Sequence, residues 1–201
     1  ADTTMARKLE SNKGVSFQGA VLIGDFEVER RVAEEWLKAP NPHGQSNCQV
    51  LRPISNGKDL NSRSRGLWVV DFNRLNKLDA SLFEKPFEYV VQHVKPIRAT
   101  NPRPARRDIW WQHGEHGGGW RSAVKNSFRF IATSQVSKHR FFIWLPTQVW
   151  PHQTVIAFAR ADDTTFGILH SRFHEIWSLR MGTSLEAVSY THLRAHETVL
   201  D

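Results

Sequence analysis

Histidine and cysteine chemistry is the first possibility that this 201-residue sequence raises. His113-Gly114-Glu115 supplies the first half of a zinc-deaminase signature, but the paired cysteines that must follow are missing, since Cys48 is the single cysteine of the chain. His170 and His174 are four residues apart and would share one face of a helix, where they could bind a metal. No third ligand stands beside them, so we interpret the pair as flanking an apolar stripe and expect no metal site.

The sequence also lacks the common catalytic signatures. It contains no Walker loop, no dinucleotide-binding glycine motif, no serine or cysteine nucleophile motif and no nuclease pattern of Pro-Asp followed by acid-x-Lys. Asn41-Pro42 and Asn101-Pro102 lack the second proline and the aromatic residue that an adenine methyltransferase uses. We therefore expect no catalytic residue in this chain. The alternative is a small hydrolase or metal enzyme that uses His113, Glu115 and His116.

Basic side chains offer a different chemistry, the neutralisation of phosphates. The net charge is +7, from 27 basic and 20 acidic side chains, which favours a polyanion such as DNA or RNA as a partner. In RRDIWWQH (106–113) two tryptophans follow a run of arginines that starts at Arg98. Either these arginines form a solvated loop, or they contact a phosphate backbone. Trp110 and Trp111 would face opposite sides of a regular element, so we expect one of them in the core.

The elements that must position these residues follow from apolar patterning. Hydrophobic residues make up 40% of the chain and charged residues 23%, so a packed core is expected. Apolar runs predict strands at residues 20–23, 67–72, 128–133, 140–145 and 154–160. Helical spacing predicts helices at residues 27–38, 82–94 (interrupted near Pro86 and closed by Pro96), 120–124 and 166–177. We expect turns at residues 51–60, an arginine-rich loop at 98–107 and a flexible loop at Gly117-Gly118-Gly119. Interspersed strands and helices predict a mixed α/β (α+β) fold.

Cysteine usage and hydropathy bear on the cellular compartment. The first residues show no signal-peptide pattern, and no stretch approaches the roughly 20 apolar residues of a membrane span. A single cysteine fits a reducing compartment. We therefore expect a cytoplasmic location and no membrane partner.

Several segments, in their order along the chain, are similar to one region of a known enzyme family. They are GVSFQGAVLIG (14–24), LRPISNGKDLNSR (51–63), WVVDF (68–72), EYVVQHVKPIR (88–98), RRDIWWQH (106–113), ATSQVSKHRFFIW (132–144) and FGILHSRFHEIWSLRMGTSLE (166–186). This series resembles the region that follows the methyltransferase motifs in MmeI-like (type IIG/IIL) restriction–modification enzymes. In that family one polypeptide joins an endonuclease, an adenine-N6 methyltransferase and a DNA target recognition domain.

The resemblance implies that residues 14–186 are a DNA target recognition domain with a mixed sheet, short strands and flanking helices. Residues 1–13 would be a lead-in from an upstream methyltransferase domain. The parent enzyme would methylate adenine N6 in double-stranded DNA with S-adenosylmethionine bound outside this chain, and would cut DNA where an endonuclease is present. This chain itself would hold no cofactor. The alternative is a stand-alone basic nucleic-acid-binding protein without catalytic activity.

The chain departs from the family pattern in two places. Gly117-Gly118-Gly119-Trp120 replaces an arginine-proline and the start of a short helix. After Glu186 the family continues with a stretch that contributes to base recognition, whereas residues 187–201 here resemble the translation of a sequencing-library adaptor. We expect this tail to be artefactual and part of the recognition surface to be missing.

The residue types and the resemblance together indicate candidate DNA contacts. Arginines would contact phosphates, a hairpin tip would enter a groove, and Gln153 with Thr154 would contact adenine and the thymine methyl group. Asn61 and Ser62 extend the candidate phosphate-contacting loop around Arg63. The full set of candidate DNA-binding residues is Arg63, Arg65, Arg103, Arg106, Arg107, Ser137, Lys138, His139, Arg140, His152, Gln153, Thr154, Ser184 and Glu186.

Overall fold

The architecture comes from a computed structural model that describes residues 12–181, 183–184 and 191–192. Strands and helices alternate along this part of the chain, which confirms the mixed α/β prediction. The helices are α1 (Arg30–Lys38), α2 (Gly57–Asn61), α3 (Lys77–Ser81), α4 (Glu84–His93), α5 (Lys95–Ala99), α6 (Pro104–Asp108), α7 (Gly118–Ala123), α8 (Asp163–Leu169) and α9 (Arg172–Met181). Among the described helices, none has both the length and the apolar character that a membrane span needs.

The strands are short. They are β1 (Ser16–Gln18), β2 (Glu27–Val28), β3 (Leu51–Ser55), β4 (Trp68–Val70), β5 (Arg129–Ser134), β6 (Val136–Ser137), β7 (Ile143–Pro146), β8 (Trp150–Pro151), β9 (Val155–Phe158), β10 (Thr183–Ser184) and β11 (Thr191–His192).

Two four-stranded sheets form the body of the described chain. The first has the order β1-β9-β5-β7 and is antiparallel throughout. The second has the order β2-β4-β3-β8, and it is mixed because β3 and β8 run parallel while its other pairs are antiparallel. A smaller sheet pairs β6 with β11 and β11 with β10.

The chain passes from the second sheet to the first at residues 152–154, between β8 and β9. The segment after β1 fixes this turn, since the Ala20 carbonyl accepts a hydrogen bond from the Gln153 N–H at 2.9 Å. Glycine is required at position 19, because a Cβ there would lie 2.2 Å from the His152 carbonyl oxygen. The backbone of the turn at 152–154 is therefore fixed by the hydrogen bond to Ala20 and by close contact with Gly19.

One continuous cluster of buried apolar residues joins both four-stranded sheets and helices α1, α3, α4 and α7. Trp120 of α7 belongs to it, with its ring edge-on to Phe130 at 5.3 Å and to Trp150 at 4.9 Å. Because side chains alternate along a strand, Ile131 lies on the other face of the first sheet, in a second cluster covered by Phe166 of α8. Both faces of the first sheet are thus packed.

The predicted strand at residues 20–23 is wrong, although its burial is confirmed. Ala20 and Leu22 are buried, but Ala20 and Val21 form isolated bridges instead of a ladder. Ile23 has φ of 52° and Gly24 has φ of 142°, so the backbone leaves the extended conformation there. The apolar run is therefore buried like a strand but lacks the continuous pairing of one.

Residues 51–60, predicted as turns, form β3 and α2 instead. Pro53 is compatible with β3 because the neighbouring Ile54 N–H, not position 53, donates to the Leu67 carbonyl at 3.0 Å. Asn56 caps α2: its side chain accepts the Asp59 N–H at 3.0 Å, and the Asp59 carboxylate accepts the Asn56 N–H at 3.0 Å. Asn56 and Gly57, which are typical turn residues, therefore stand at the start of a helix.

Proline and glycine also begin helices farther along the chain. The region predicted as an arginine-rich loop holds α5 and α6, which have Pro96 and Pro104 in their first turns, where a missing N–H costs nothing. Pro86 lies in the first turn of α4 and does not interrupt it. The predicted flexible loop at 117–119 is wrong as well, because Gly117, with φ of 58°, caps α7 and Gly118 begins it.

The predicted helix at 166–177 is two helices, α8 and α9. Phe166 packs against the core, whereas Phe173 is 88% exposed, so the apolar stripe does not continue from one helix to the next. The predicted strand at 140–145 begins late, at Ile143. The remaining predicted helices and strands are confirmed within a few residues, except that residues 27–28 belong to β2.

Candidate nucleic-acid interface

Three segments that carry candidate DNA-binding residues converge at one end of the two sheets. They are the end of α2 with the loop after it, the β6 hairpin, and the turn between β8 and β9. Strands β3, β5 and β8 end here and β9 begins here, so the three loops leave the same edge. We define residues 61–65, 137–140 and 152–154 as the loop surface.

The start of α2 rests directly on the ends of β5 and β9. The Gly57 N–H donates to the Thr154 hydroxyl at 2.9 Å. A Cβ at position 57 would lie 2.6 Å from the Ser134 hydroxyl oxygen and 2.9 Å from the Thr154 carbonyl oxygen. This close approach requires glycine, and it fixes α2 against the turn at 152–154.

Asn61, predicted to contact phosphate, instead ties α2 to the β6 hairpin. Its side-chain amide donates to the Ser134 hydroxyl and to the Val136 carbonyl, both at 3.1 Å. The Ser137 hydroxyl lies 2.9 Å from the Asn61 Oδ1 atom and 2.7 Å from the His139 carbonyl oxygen. Ser137 is buried, so Asn61 and Ser137 hold the hairpin tip from inside the protein.

Gln153 has a fixed backbone and an open side chain. Its N–H donates to Ala20, and its carbonyl accepts a hydrogen bond from the Gln18 side chain at 2.9 Å. The side-chain amide of Gln153 has no hydrogen-bond partner among the described residues, and the residue is half-buried. Both its donor and its acceptor are therefore available to a ligand.

His152 and Thr154 form a hydrogen-bonded pair on either side of Gln153. The His152 Nδ1 atom lies 3.0 Å from the Thr154 hydroxyl oxygen and accepts the Thr154 N–H at 3.3 Å, which leaves the ring proton on Nε2. Burial, together with the charge of Arg65, lowers the pKa of His152, so the ring is neutral at neutral pH. Because the Thr154 hydroxyl is engaged, its methyl group is what remains for a thymine contact.

Arg63 and Arg65 differ in what holds them. Arg65 forms a forked ion pair with the buried Asp59, with Nε to Oδ1 at 3.0 Å and Nη2 to Oδ2 at 3.2 Å. Burial would raise the pKa of Asp59, but hydrogen bonds from Arg65 and Asn56 outweigh it and hold that pKa below its usual value. Arg63 is exposed, and no hydrogen bond or ion pair joins it to another described residue. Arg63 is the freer phosphate ligand of the two.

The hairpin tip exposes Lys138 and His139, whereas Arg140 is half-buried. Arg140 Nη2 donates to the Ser178 carbonyl of α9 at 3.0 Å, and its Nε and Nη1 atoms are buried without a partner among the described residues. Burial lowers the pKa of Arg140. Lys138 and His139 are therefore the groups that this hairpin presents to a ligand.

The arginine run is divided between core and surface. Arg98, predicted to be open to phosphate, is 1% exposed, and it donates to the carbonyls of Leu22 and Gln112, both at 2.9 Å, and to that of Ile23. Both interpretations of Arg98, as a residue of a solvated loop and as a phosphate contact, are therefore wrong, because backbone carbonyls of two loops enclose its guanidinium group. Burial, with the nearby charge of Arg106, lowers the pKa of Arg98 to about 10.

The candidate arginines at the start of and within α6 remain at the surface. Arg103 and Arg107 are exposed, and Arg106 is half-buried. Arg107 donates to the Asn101 carbonyl at 2.9 Å. Among the described residues, no hydrogen bond or ion pair joins these three arginines to the loop surface, so we treat residues 103–107 as a separate arginine segment.

The two tryptophans divide as predicted. Trp110 is buried, whereas Trp111 is half-buried and donates its indole N–H to the Leu75 carbonyl at 2.9 Å. Of the last candidates, Ser184 lies in β10 with its backbone paired to Thr191, and Glu186 lies outside the described residues.

The candidate metal-binding histidines make separate contacts within the fold. His113 is buried, and its Nε2 atom lies 2.8 Å from the Val70 carbonyl, which makes that nitrogen the donor. His170 and His174 bond to the Phe142 and Leu169 carbonyls. In the described part of the chain, no group of three or more histidine, cysteine or acidic side chains is placed to hold a metal.

A buried carboxylate that sequence reasoning missed organises a second polar group. Asp71, directly after β4, is paired with Arg121 at 2.7 Å and Arg52 at 3.3 Å, and its Oδ1 lies 3.8 Å from His113 Nδ1. Burial would raise the pKa of Asp71, but His113, Arg121 and Arg52 together hold it below its usual value. The sequence signal was an acid inside the apolar segment WVVDF.

Comparisons with known proteins bear on the fold. No protein-family model matches the chain, and no curated protein is significantly similar to it in sequence. A solved structure of the type IIL restriction–modification enzyme MmeI in complex with DNA is similar in fold, with a TM-score of 0.69 and 13% sequence identity. The match covers 90% of this chain and 23% of the MmeI chain. The chain therefore has a fold found within a restriction–modification enzyme and spans less than a quarter of that enzyme's length.

Proposed function

We propose that this chain is the sequence-specific DNA recognition domain of a fused restriction–modification enzyme. In this proposal a covalently linked upstream domain methylates adenine N6 with S-adenosylmethionine, in the cytoplasm. This chain supplies contacts to double-stranded DNA but no catalytic residue and no cofactor. An endonuclease on the same polypeptide would add cleavage.

The observation that carries the proposal is the state of Gln153. Its backbone is fixed between the two sheets, and its side-chain amide has no partner among the described residues. A glutamine amide can form two hydrogen bonds with the N6 and N7 atoms of adenine in the major groove. A rigid backbone with an open side chain is the arrangement that base discrimination needs.

The cations around Gln153 have the charge expected for phosphate contacts. Arg63 and Lys138 are exposed on the same loop surface, and the fork with Asp59 fixes Arg65. Cations that flank a base-contacting residue would set the position of the duplex without selecting its sequence. The fold likeness to a DNA-bound restriction–modification enzyme supports the same interpretation.

Selection of duplexes from a randomised pool by this chain tests the proposal. We expect one enriched sequence, and we expect Gln153→Ala to relax the preference at one base pair by about 1–3 kcal/mol while affinity for unrelated duplexes stays the same. Gln49→Ala is the matched control, because Gln49 is exposed in the turn that precedes β3, at the end of that strand away from the loop surface.

The possible results separate the competing functions. Tight binding to every duplex without a preferred sequence would support a stand-alone basic nucleic-acid-binding protein, and no binding would contradict both functions. Sequencing the locus upstream tests the methyltransferase link independently. An in-frame Asn-Pro-Pro-aromatic motif would support the link, and a locus without one would contradict it.

A further inference from the structure

A second group of cations, which is not part of the loop surface, lies at and near Asp71. Arg52 of β3 and Arg121 of α7 bind the Asp71 carboxylate, and Arg74, from the segment after β4, stands beside the start of α7. We define Arg52, Arg74 and Arg121 as the Asp71 cluster. Three guanidinium groups with one carboxylate leave an excess of positive charge at this place on the surface.

Two of these guanidinium groups are held in fixed orientations. Arg121 donates to Asp71 at 2.7 Å and to the His116 carbonyl at 2.9 Å, and its guanidinium carbon stands 3.8 Å from the centre of the Trp150 ring. Arg52 donates to the same carboxylate at 3.3 Å. The buried Asp71 thus works as an anchor that orders both side chains before any ligand arrives.

The cluster retains donors for a ligand. An arginine has five N–H donors, and Arg52 uses one of them and Arg121 two among the described residues. Their side chains are 36% and 20% exposed. Arg74 is exposed, and its Nη2 atom lies 3.8 Å from where a Cβ of Gly118 would be, so it stands beside the glycine start of α7.

The cluster lies beside the start of β3, at the end of that strand away from the loop surface, and two packing contacts connect it to the loop surface. A Cβ at Gly119 would lie 3.0 Å from the Phe17 ring, so the start of α7 packs on β1. The next residue, Gln18, donates to the Gln153 carbonyl. On the other side, Trp150 stacks with Arg121 and belongs to β8, the strand that leads into the turn at 152–154.

We propose that the Asp71 cluster binds a phosphate of the DNA backbone on the same duplex whose bases Gln153 contacts. This inference rests on the proposed function, since it places a phosphate contact on the duplex of the proposed base contact. Fixed, forked guanidinium groups match the geometry of a phosphate oxygen pair, and Asp71 holds them without closing the site. The sequence did not predict this site, because its arginines come from three separate parts of the chain.

The salt dependence of binding to a labelled duplex of mixed sequence tests the inference. Each lost phosphate contact reduces the slope of log affinity against log salt by about 0.9. Arg74→Ala is the first variant, because Arg74 forms no ion pair with Asp71 and its loss leaves the anchor intact. We expect this reduction in slope, with an unchanged preferred sequence, and the same result for Arg52→Ala if the variant remains folded.

Arg160→Ala is the matched control. Arg160 follows the end of β9 that lies away from the turn at 152–154, and it is half exposed beside Asp162. An unchanged slope in Arg74→Ala and Arg52→Ala, with duplex binding otherwise intact, would overturn the inference and leave the proposed function standing. No binding of the duplex by the unmodified chain would overturn the proposed function first. Equal slope reductions in Arg74→Ala and Arg160→Ala would also overturn the inference, because they would indicate general charge loss.

Discussion

At the scale of single residues, neighbouring arginines of this chain have opposite roles. Arg98 is enclosed by backbone carbonyls, whereas Arg103, five positions later, is exposed. Residue type gave the charge of both side chains correctly, but it could not show which one the folded chain would surround. The same holds for Asn61, whose amide is used within the protein.

Replacement of Arg98 should destabilise the protein strongly. Arg98→Met removes the donors to the carbonyls of Leu22, Ile23 and Gln112. The Leu22 carbonyl keeps the Gly114 N–H, but the other two lose their donor, and each carbonyl left without a partner costs about 1–3 kcal/mol. We expect a loss of about 3 kcal/mol or more in the free energy of unfolding, measured by denaturant titration. Arg103→Met is the control and should change stability by less than about 0.5 kcal/mol. Equal stability of the two variants would show that Arg98 is not a core residue.

Stability should fall as pH falls from about 6.5 towards 5. Burial lowers the pKa of His113, and the pKa values of His116 and His152 are lowered for the same main reason. In this window the unfolded chain, with histidine pKa values near 6.5, binds protons that the folded chain does not, so acid favours unfolding. Above that window both states are neutral and the effect is absent.

His113→Gln should make the pH dependence shallower, by at most about 1.4 kcal/mol per pH unit. Glutamine is chosen because its amide can still donate to the Val70 carbonyl. Denaturant unfolding at several pH values measures the slope, and His116→Gln provides a second variant at a half-buried position. A slope that is the same in both variants as in the original chain would contradict the assignment to these histidines.

At the scale of elements, the secondary structure was predicted best where burial and the spacing of apolar residues agree. The segments of β4, β5 and β9 are apolar and lie in the interior of their sheets, and their prediction as strands is confirmed. The errors concern residue types that occur both in loops and at the first positions of helices. The sequence predicts a helix end or a loop at Pro96, Pro104 and Gly117, but each stands at the start of a helix, where proline and glycine are also favourable.

Part of the loop surface was predictable and part was not. The residues at 137–140 and 152–154 stand between predicted strands, so polar side chains in connections were visible in the sequence. That these two connections meet α2 depends on the parallel pairing of β3 with β8, which joins segments almost a hundred residues apart. Asn56 and Gly57 are residue types typical of turns, so the sequence predicts neither α2 nor its contact with Thr154.

The link between α2 and the β6 hairpin should control how firmly the hairpin tip is held. Asn61→Ala removes the hydrogen bonds to Ser134, Val136 and Ser137, so we expect faster amide hydrogen exchange at residues 136–139 and weaker duplex binding. The expected loss of stability is about 1–2 kcal/mol. Ser62→Ala is the control, because the Ser62 hydroxyl bonds within its own helix to Lys58. Unchanged exchange at the hairpin in Asn61→Ala would contradict the tether.

At the scale of the whole molecule, positive charge is distributed over separate surfaces. The loop surface carries Arg63 and Lys138, the arginine segment carries Arg103, Arg106 and Arg107, and these two sets lie on elements without a direct polar contact among the described residues. A duplex that reached both would be contacted at several phosphates, whereas a small anionic ligand would be held at one set alone. The number of phosphates contacted therefore distinguishes a long polyanion from a small ligand as the partner.

Salt dependence measures that number. The candidates outside the Asp71 cluster that are free to bind a phosphate are Arg63, Arg103, Arg106, Arg107 and Lys138. If each contacts one phosphate, these five contribute about −4.5 to the slope of log affinity against log salt, to which the Asp71 cluster adds, and through these five alone a fourfold rise in salt weakens binding about 500-fold. Fluorescence anisotropy with a labelled duplex at several salt concentrations gives the slope. A combined Arg103→Ala and Arg107→Ala variant should reduce it by about 1.8, since it removes two contacts, whereas Arg160→Ala should leave it unchanged. A slope of about −2 in the original chain, unaffected by the double variant, would place DNA on the loop surface without the arginine segment. A slope near zero would contradict DNA binding through phosphates altogether.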